Sequence, residues 1–168
     1  TNMFYGCEKL KAIDLSGFKT NDLTSIQAMF QSCISLEKIS FPETFKTHNV
    51  KSMNALFQNC TSLKEIVFTE YFNTSNVENF KFMFSNCTSL EEINFPNSFT
   101  TSSATGMGYM FNHCSKLKSL DVSNFDTSNV TEMHFMFTQC RNLTKLDLSS
   151  FDTSSIQRKY RMFAGCFN

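Results

Sequence analysis

The chain has 168 residues, with 15 basic and 15 acidic side chains, and therefore carries no formal net charge at pH 7. It lacks the excess of positive charge that neutralises phosphate backbones, so nucleic-acid binding is not predicted. The sequence contains no run of 18 apolar residues and no basic amphipathic segment, so direct insertion into a membrane is not predicted either.

Evenly spaced cysteines divide the chain into repeats. The sequence "MFSNC" ends at Cys87, and variants of it end at the other six cysteines, at intervals of 26 or 27 residues. Such spacing indicates one repeat array over residues 1–168, and an odd number of cysteines cannot complete a disulfide framework. The array consists of a half-unit 1–9 and of units 10–35, 36–62, 63–89, 90–116, 117–142 and 143–168. Because it begins within a unit and ends near a cysteine position, we expect it to be an excerpt of a longer chain.

Each unit begins with a predicted strand. In the fifth unit the apolar residues of this segment are Leu117, Leu120 and Val122. After the second of them, apolar and polar residues alternate with a period of two, which is typical of a short strand with one buried face.

The second half of each unit is predicted to be a short helix or turn. In the fifth unit, Val130, Met133, Met136, Phe137 and Cys140 follow the spacing i, i+3, i+6, i+7 and i+10. This stripe fits about three turns of amphipathic helix, and a single turn with 3₁₀ geometry gives nearly the same stripe. Ser, Thr and Asn precede it, and their side-chain oxygens are suited to cap the N–H groups of a helix.

Successive units are expected to stack, because a single unit is too small to bury its own apolar residues. Two columns of phenylalanine, meaning residues at equivalent positions of successive units, form ladders in the expected core. They are Phe18, Phe45, Phe72, Phe99, Phe125 and Phe151, and Phe30, Phe57, Phe84, Phe111, Phe137 and Phe163. The predicted fold is an α/β solenoid. It is a leucine-rich-repeat-like stack of 26- to 27-residue units, each a short strand plus a short helix or turn, with a parallel sheet on one face.

The segments "LDVSNFDTSNVTEMHFMFTQC" and "LDLSSFDTSSIQRKYRMFAGC" resemble the BspA-like leucine-rich repeat surface proteins. The repeats of that family carry Leu-Asp-Leu-Ser-x-Phe-Asp-Thr-Ser-x-Val-Thr-x-Met-x-x-Met-Phe-x-x-Cys and are common in bacterial and mycoplasmal surface proteins. The resemblance covers the whole chain, although units two to four depart from it in the "DLS" and "FDTS" segments. It implies a leucine-rich-repeat solenoid that is secreted or attached to the cell surface and serves in adhesion.

No catalytic, metal or cofactor site is predicted. The three histidines, His48, His113 and His134, occupy different positions in their units, so no column of histidine accompanies the cysteines. Stacked thiols are expected to lie too far apart for disulfides, and we expect all seven to be reduced and buried in the core. Asp126 and Asp152 are interpreted as loop caps rather than as calcium ligands.

The outward positions of the predicted strands are the first candidate binding surface. Their residues vary from unit to unit on a constant core, as a recognition surface would, although drift on a solvated sheet gives the same pattern. The candidate residues are Glu65, Val67, Glu92, Asn94, Asp121 and Asp147. The expected partner is a protein or a glycan.

An aromatic strip is the second candidate surface. On a helix, Phe135 would point away from the apolar stripe, and Phe82 and Tyr109 occupy the same position of the two preceding units. Exposed contiguous apolar surface is typical of contact sites, so we expect the strip to mediate self-association or docking of another segment. If the segment is not a regular helix, the rings instead pack against the neighbouring unit.

These features predict a non-enzymatic protein- or glycan-binding repeat module of a cell-surface adhesin. The alternative is an intracellular protein–protein interaction scaffold in the cytoplasm, where buried reduced cysteines are routine. An accessory domain of an enzyme is a third alternative. A signal peptide or an anchoring segment upstream would separate the surface protein from the cytoplasmic one.

Overall fold

The computed structural model describes residues 2–166, so the first residue of half-unit 1–9 and the last two residues of unit 143–168 lie outside the described residues. It contains two strands, β1 (Lys38–Ser40) and β2 (Glu65–Val67). They pair in parallel, with Ile39 opposite Ile66. Residues 2–166 contain no helix.

Parallel backbone bridges join equivalent residues of successive units, so the chain is a repeat solenoid in which each unit forms one coil. One series of bridges runs without a break through Ser25, Ser52, Asn79, Gly106, Glu132 and Arg158. We call the segment that follows this position, 26–33 in the first unit, together with its equivalents, the turn side. The segment 38–40 and its equivalents form the strand side.

The turn side is built from consecutive tight turns that also bond to the next coil. In unit 10–35, the N–H of Ala28 donates to the carbonyl oxygen of Asn54 at 2.9 Å. The next N–H, that of Met29, donates within its own coil to the carbonyl oxygen of Ile26 at 3.2 Å. Because N–H groups alternate between bonds to the next coil and bonds within a coil, this backbone is satisfied without a helix.

Of the predicted helix or turn, the structure forms the turn, because two residues of every complete turn segment adopt the left-handed conformation. In unit 63–89 they are Phe82, with a φ of 59°, and Asn86, with a φ of 61°. A left-handed residue does not continue a right-handed helix, and the apolar stripe alone does not distinguish helical turns from consecutive tight turns. One feature of the sequence did point to the tight turns: Gly or Asn, which tolerate a positive φ, precedes four of the seven cysteines.

Stacked phenylalanine rings fill the core of the turn side, as predicted. The centroids of neighbouring rings lie between 5.4 and 5.8 Å apart, and the ring planes are close to parallel. The column comprises Phe4, Phe30, Phe57, Phe84, Phe111, Phe137 and Phe163. A repeated slot for one ring size accounts for the 20 phenylalanines and the lack of tryptophan in the sequence.

Six cysteine thiols line the same core, and each donates to a phenylalanine carbonyl of the preceding coil. The Sγ of Cys87, for example, lies 3.2 Å from the carbonyl oxygen of Phe57. The six buried cysteines are Cys33, Cys60, Cys87, Cys114, Cys140 and Cys166. The prediction that all seven are buried is wrong for Cys7, which is exposed because no described coil precedes it to cover the thiol.

A column of buried threonines ties neighbouring coils together rather than capping a helix. The Oγ1 of Thr74 donates to the carbonyl oxygen of Thr100 at 2.7 Å and accepts the N–H of the same residue at 2.8 Å. The Oγ1 of Thr47 donates in the same way to the carbonyl oxygen of Asn73 at 2.7 Å. The predicted capping oxygens therefore act between coils, where they satisfy backbone groups of the next turn.

Candidate binding surfaces

The strand-side candidate residues are all exposed. In β2, Glu65 and Val67 flank the buried Ile66, so alternate side chains point to solvent and to the core. Asp121 and Asp147 occupy the outward position of later coils. The outward direction predicted from the alternation is therefore confirmed, whereas binding at these positions stays a prediction.

Two of the strand-side carboxylates accept hydrogen bonds from turns in their own coils. The Oδ1 of Asp121 accepts the N–H of Ser123 at 2.9 Å, and the Oδ1 of Asp147 accepts the N–H of Ser149 at 2.9 Å. Hydrogen bonds from these serines hold the pKa of both aspartate carboxyls below the usual value. A partner would therefore meet carboxylates that are ionised and oriented by the backbone.

A shallow groove opens on the strand side where backbone pairing stops. Among the described residues, no backbone bridge joins β2 to the equivalent segment 92–94 of the next coil. The groove between these segments is lined by Glu65, Val67, Glu92 and Asn94. Within it, the Nδ2 of Asn94 donates to the Oε1 of Glu92 at 2.7 Å. The structure thus brings four of the six candidate residues together, while Asp121 and Asp147 line a separate depression.

The three residues of the aromatic strip form a stack on the surface of the turn side. The ring centroids of Phe82 and Tyr109 lie 4.6 Å apart, and those of Tyr109 and Phe135 lie 4.8 Å apart. All three side chains are half-buried, and Tyr160 extends the stack through an edge contact with Phe135 at 5.3 Å. The rings cover one another's faces and present their edges to solvent, which combines the two arrangements considered from the sequence.

The backbone beneath the strip is in a conformation that bulky residues rarely adopt. The φ angles of Phe82, Tyr109 and Phe135 are 59°, 61° and 56°. In the first two coils the same position holds Ala28 and Ala55, whose φ angles are 52° and 56°. Because a methyl group suffices at this turn in two coils, the aromatic rings are not needed to build it.

A polar cluster borders the strip at a gap left by two glycines. Lys81 crosses over Gly106, where an added Cβ would lie 2.5 Å from the lysine Cε, and forms an ion pair with Glu132 two coils away. The ring of His134 covers Gly108, with its Cε1 only 2.9 Å from the ideal Cβ position. The two glycines therefore provide the space that the lysine and histidine side chains occupy.

In this cluster, Glu132 forms ion pairs with both Lys81 and Arg158. The Oε1 of Glu132 lies 3.2 Å from the Nη1 of Arg158, and the hydrogen bond from Lys81 lowers the pKa of the glutamate. Burial lowers the pKa of His134, whose Nδ1 is enclosed without a hydrogen-bond partner among the described residues. The imidazole is therefore neutral at neutral pH.

The polar cluster escaped prediction because its ion pair between Lys81 and Glu132 joins residues of two different columns. The alignment of units nevertheless contained one indication of it. Positions 106 and 108 are glycine in the fourth unit, and no other unit has glycine at either position. A loss of side-chain volume at two outward positions of one coil predicts that side chains of neighbouring coils move in.

Burial keeps the core thiols in their protonated form. Burial raises the pKa of Cys33 to about 11 and that of Cys140 to about 12, which disfavours the reactive thiolate. No group of three or more His, Cys, Asp or Glu side chains in this part of the chain is arranged to hold a metal ion. Residues 2–166, which form no helix, also provide no helix that could span a membrane.

Sequence comparison identifies one family across the chain. The model of the family described as "Mycoplasma protein of unknown function, DUF285" matches residues 1–118 and 91–168, which together span all 168 residues. None of the curated proteins is significantly similar to the chain.

Structure comparison finds bacterial leucine-rich repeat proteins. One from T. pallidum (TpLRR) is 22% identical with a TM-score of 0.40, over 70% of this chain and 58% of that protein. Another from Eubacterium ventriosum ATCC 27560 is 22% identical with a TM-score of 0.47, over 78% of this chain and 31% of that protein. A third from Bacteroides ovatus ATCC 8483 is 19% identical with a TM-score of 0.41, over 70% and 32%. The chain spans less than two thirds of each of these proteins, and no functional residue is carried over from them.

Proposed function

Because this chain belongs to the family described as Mycoplasma protein of unknown function, DUF285, we propose a function from its own surfaces: it is a non-enzymatic protein- or glycan-binding repeat module of a cell-surface adhesin. The observation that carries the proposal is the contrast between constant core columns and variable outward positions. Core columns repeat Phe or Cys in coil after coil, whereas the strand-side positions change from acid to amide to apolar. A repeat scaffold of this kind presents a different contact from each coil to one extended partner.

The strand-side groove is the proposed recognition surface. It combines the apolar side chain of Val67, which is 37% exposed, with the carboxylate of Glu92 and the amide of Asn94. Lys64 beside it is held by Glu37, with 2.9 Å between the Nζ and Oε2 atoms. The groove therefore offers one apolar contact and several hydrogen-bonding groups in fixed positions. Its shallowness suits the surface of a protein or an oligosaccharide better than a small molecule, which binds in enclosed pockets.

A location on the cell surface is supported by the resemblance of units five and six to BspA-like repeats. The alternative, an intracellular scaffold, is supported by the six buried thiols, since reduced cysteines are typical of reducing compartments. Treating intact cells that produce the full-length protein with trypsin separates the two. Loss of the protein while a cytoplasmic marker is retained supports the adhesin, and full protection of the protein supports the scaffold.

Recognition through the strand side is tested by binding of the purified chain to intact cells, measured by flow cytometry. The double variant Glu92→Lys, Asn94→Lys reverses the charge and removes the amide at the groove. We expect it to bind at least about tenfold more weakly than the unmodified chain. Pretreating the cells with protease or with periodate then distinguishes a protein ligand from a glycan.

The matched control changes the same kinds of residue at a distant exposed site. The variant Asn21→Lys, Asp22→Lys adds the same charge to the first coil and leaves the groove unchanged. We expect this control to bind as the unmodified chain does. If both double variants bind equally well, the strand side is not the recognition surface.

A further inference from the structure

The three rings of the aromatic strip follow a symmetric order, and Tyr160 adds an edge contact at the Phe135 end only. Along the stack the strip presents phenylalanine, tyrosine and phenylalanine, at Phe82, Tyr109 and Phe135. A two-fold rotation about Tyr109 therefore exchanges the phenylalanines and leaves the tyrosine in place. We propose that a second copy of this chain docks on the strip about a two-fold axis through Tyr109, with the two solenoids antiparallel. A two-fold interface uses the same patch on both subunits, which is what this arrangement of rings supplies.

The rings of the strip are not required by the fold of the turn. Ala28 and Ala55 occupy the equivalent position in the first two coils with the same left-handed backbone. Bulky residues rarely adopt this conformation, and strained residues that the fold does not need are typical of functional surfaces. The partly exposed edges of Phe82, Tyr109 and Phe135 then provide the aromatic contacts that protein interfaces favour.

Charges beside the strip are complementary under the same rotation. Lys81 lies in the coil of Phe82, and Glu132 lies in the coil of Phe135. An antiparallel arrangement therefore places Lys81 of each copy opposite the coil that carries Glu132 in the other copy. The ion pair that Lys81 forms with Glu132 inside one chain can thus be matched by two pairs between chains. A chain without net charge adds no general repulsion between the two copies.

The coil at the centre of the proposed interface contributes no side chain of its own at two positions. Gly106 and Gly108 occupy the coil of Tyr109, and the nearest side-chain atoms over them belong to Lys81 and His134. Flexible lysine can move aside, so the two surfaces can approach closely at the axis.

Sedimentation velocity over a wide concentration range tests the proposal, and the chain of 19.3 kDa should reach twice that mass. Tyr109→Asp keeps a residue that tolerates a positive φ and places two carboxylates at the axis. We expect this variant to weaken dimerisation by at least about tenfold. The matched control is His113→Asp, at an exposed residue of the same coil whose φ is 58°, and it should dimerise as the unmodified chain does. Thermal melts confirm that both variants are folded.

A mixing experiment distinguishes this dimer from any other. Lys81→Glu alone and Glu132→Lys alone should each be monomeric, because each places like charges across the axis twice. An equimolar mixture of the two variants should form a heterodimer, because both pairs become complementary again. A heterodimer is not expected if either substitution merely damages the fold.

Three results would overturn the proposal. The first is an unmodified chain that stays monomeric at all concentrations, which would leave the strip for a different protein. The second is a Tyr109→Asp variant that dimerises as strongly as the unmodified chain, which would place the contact elsewhere. The third is a mixture of the two charge variants that remains monomeric although the unmodified chain dimerises.

Discussion

The two sides of the solenoid differ in how their coils are joined. On the turn side, backbone bridges connect every pair of successive coils from Ser25 to Arg158. On the strand side, bridges among the described residues occur only in β1 with β2 and between Ser119 and Lys145. Elsewhere single backbone hydrogen bonds join the coils, such as the one from the N–H of Lys118 to the carbonyl oxygen of Glu91. The turn side therefore holds successive coils together, so we expect that residues of the strand side can change without loss of the fold.

Side chains join the coils of the strand side in place of a continuous backbone ladder. Lys38 pairs with Glu65 at 2.8 Å, and Lys118 pairs with Glu91 at 2.5 Å, each between adjacent coils. Exposed ion pairs of this kind contribute little to stability, whereas buried rings and backbone bonds contribute much more. From this difference we expect stability to come mainly from the turn side, and this expectation can be tested by perturbing each side separately.

The largest expected effect is a loss of stability at alkaline pH through the thiols of the turn side. Burial raises the pKa of all six buried cysteines in the folded chain, for example to about 11 at Cys33 and about 12 at Cys140. Unfolded thiols titrate near pH ~8.5, so their stabilising contribution is complete below that pH and is lost as the pH rises toward the folded values. Each buried thiol can lower the free energy of unfolding by at most about 1.4 kcal/mol per pH unit in this range, so several of them together make the loss steep.

Urea unfolding followed by circular dichroism at about pH 8, 9 and 10 measures this slope. The variant Cys87→Ala removes one thiol and should reduce the slope by about 1.4 kcal/mol per pH unit. The strand side should instead lose stability at acidic pH, because hydrogen bonds from Ser123 lower the pKa of Asp121. That contribution is present above the unfolded pKa of about 3.9 and is lost as the pH falls through the folded value. Stability that stays constant between about pH 8 and 10 would contradict the role given to the thiols.

The second effect is the loss of one ring from the turn-side core. Phe84 is fully buried and stacks on Phe57 at 5.8 Å and on Phe111 at 5.4 Å. Replacing it by alanine should lower the free energy of unfolding by about 3–5 kcal/mol, because the cavity interrupts a continuous stack. The matched strand-side variant, Val67→Ala, should change the free energy by less than ~0.5 kcal/mol. Urea unfolding monitored by circular dichroism measures both variants. Equal losses would show that the two sides contribute equally to stability.

The columns of the core could be predicted from the sequence because their spacing is constant. Phe84 and Cys87 recur at intervals of 26 or 27 residues, and only stacking brings such residues together. The choice between a helix and a turn could not be made from the sequence, because an apolar stripe shows which residues are buried and not which hydrogen bonds the backbone forms. Left-handed residues such as Phe82 and Asn86 produce the same stripe with a different backbone.

The candidate surfaces were predictable only in part, for a related reason. The alternation around Ile66 predicted that Glu65 and Val67 face outward. The groove beside them arises where β2 lacks a backbone partner in the next coil, and no side-chain pattern encodes a missing bridge. The contact of Lys81 with Glu132 also spans two coils, whereas column comparison considers one position at a time.

A smaller effect is expected from relaxing one left-handed residue on the turn side. Ser32 has a φ of 61°, a conformation that costs a non-glycine residue roughly 1–2 kcal/mol. Ser32→Gly should therefore raise the free energy of unfolding by about 0.5–1 kcal/mol, after the greater flexibility of glycine in the unfolded chain is subtracted. Ser35→Gly is the control, because this serine does not have a positive φ, and it should lower the free energy by about 0.5–1 kcal/mol. Equal losses in both variants, measured by thermal melts, would argue against strain in the turn.

The smallest effect is expected from the strand-side ion pair of Lys38 and Glu65. Both side chains are 55% exposed, so water and salt screen their attraction. A double-mutant cycle with Lys38→Ala and Glu65→Ala should give a coupling energy of about 0.2–0.5 kcal/mol, and high salt should reduce it further. A coupling energy above ~1 kcal/mol that persists in high salt would place part of the stacking stability on the strand side. The variable residues of that side would then be constrained by the fold, and their variation from coil to coil would no longer favour recognition.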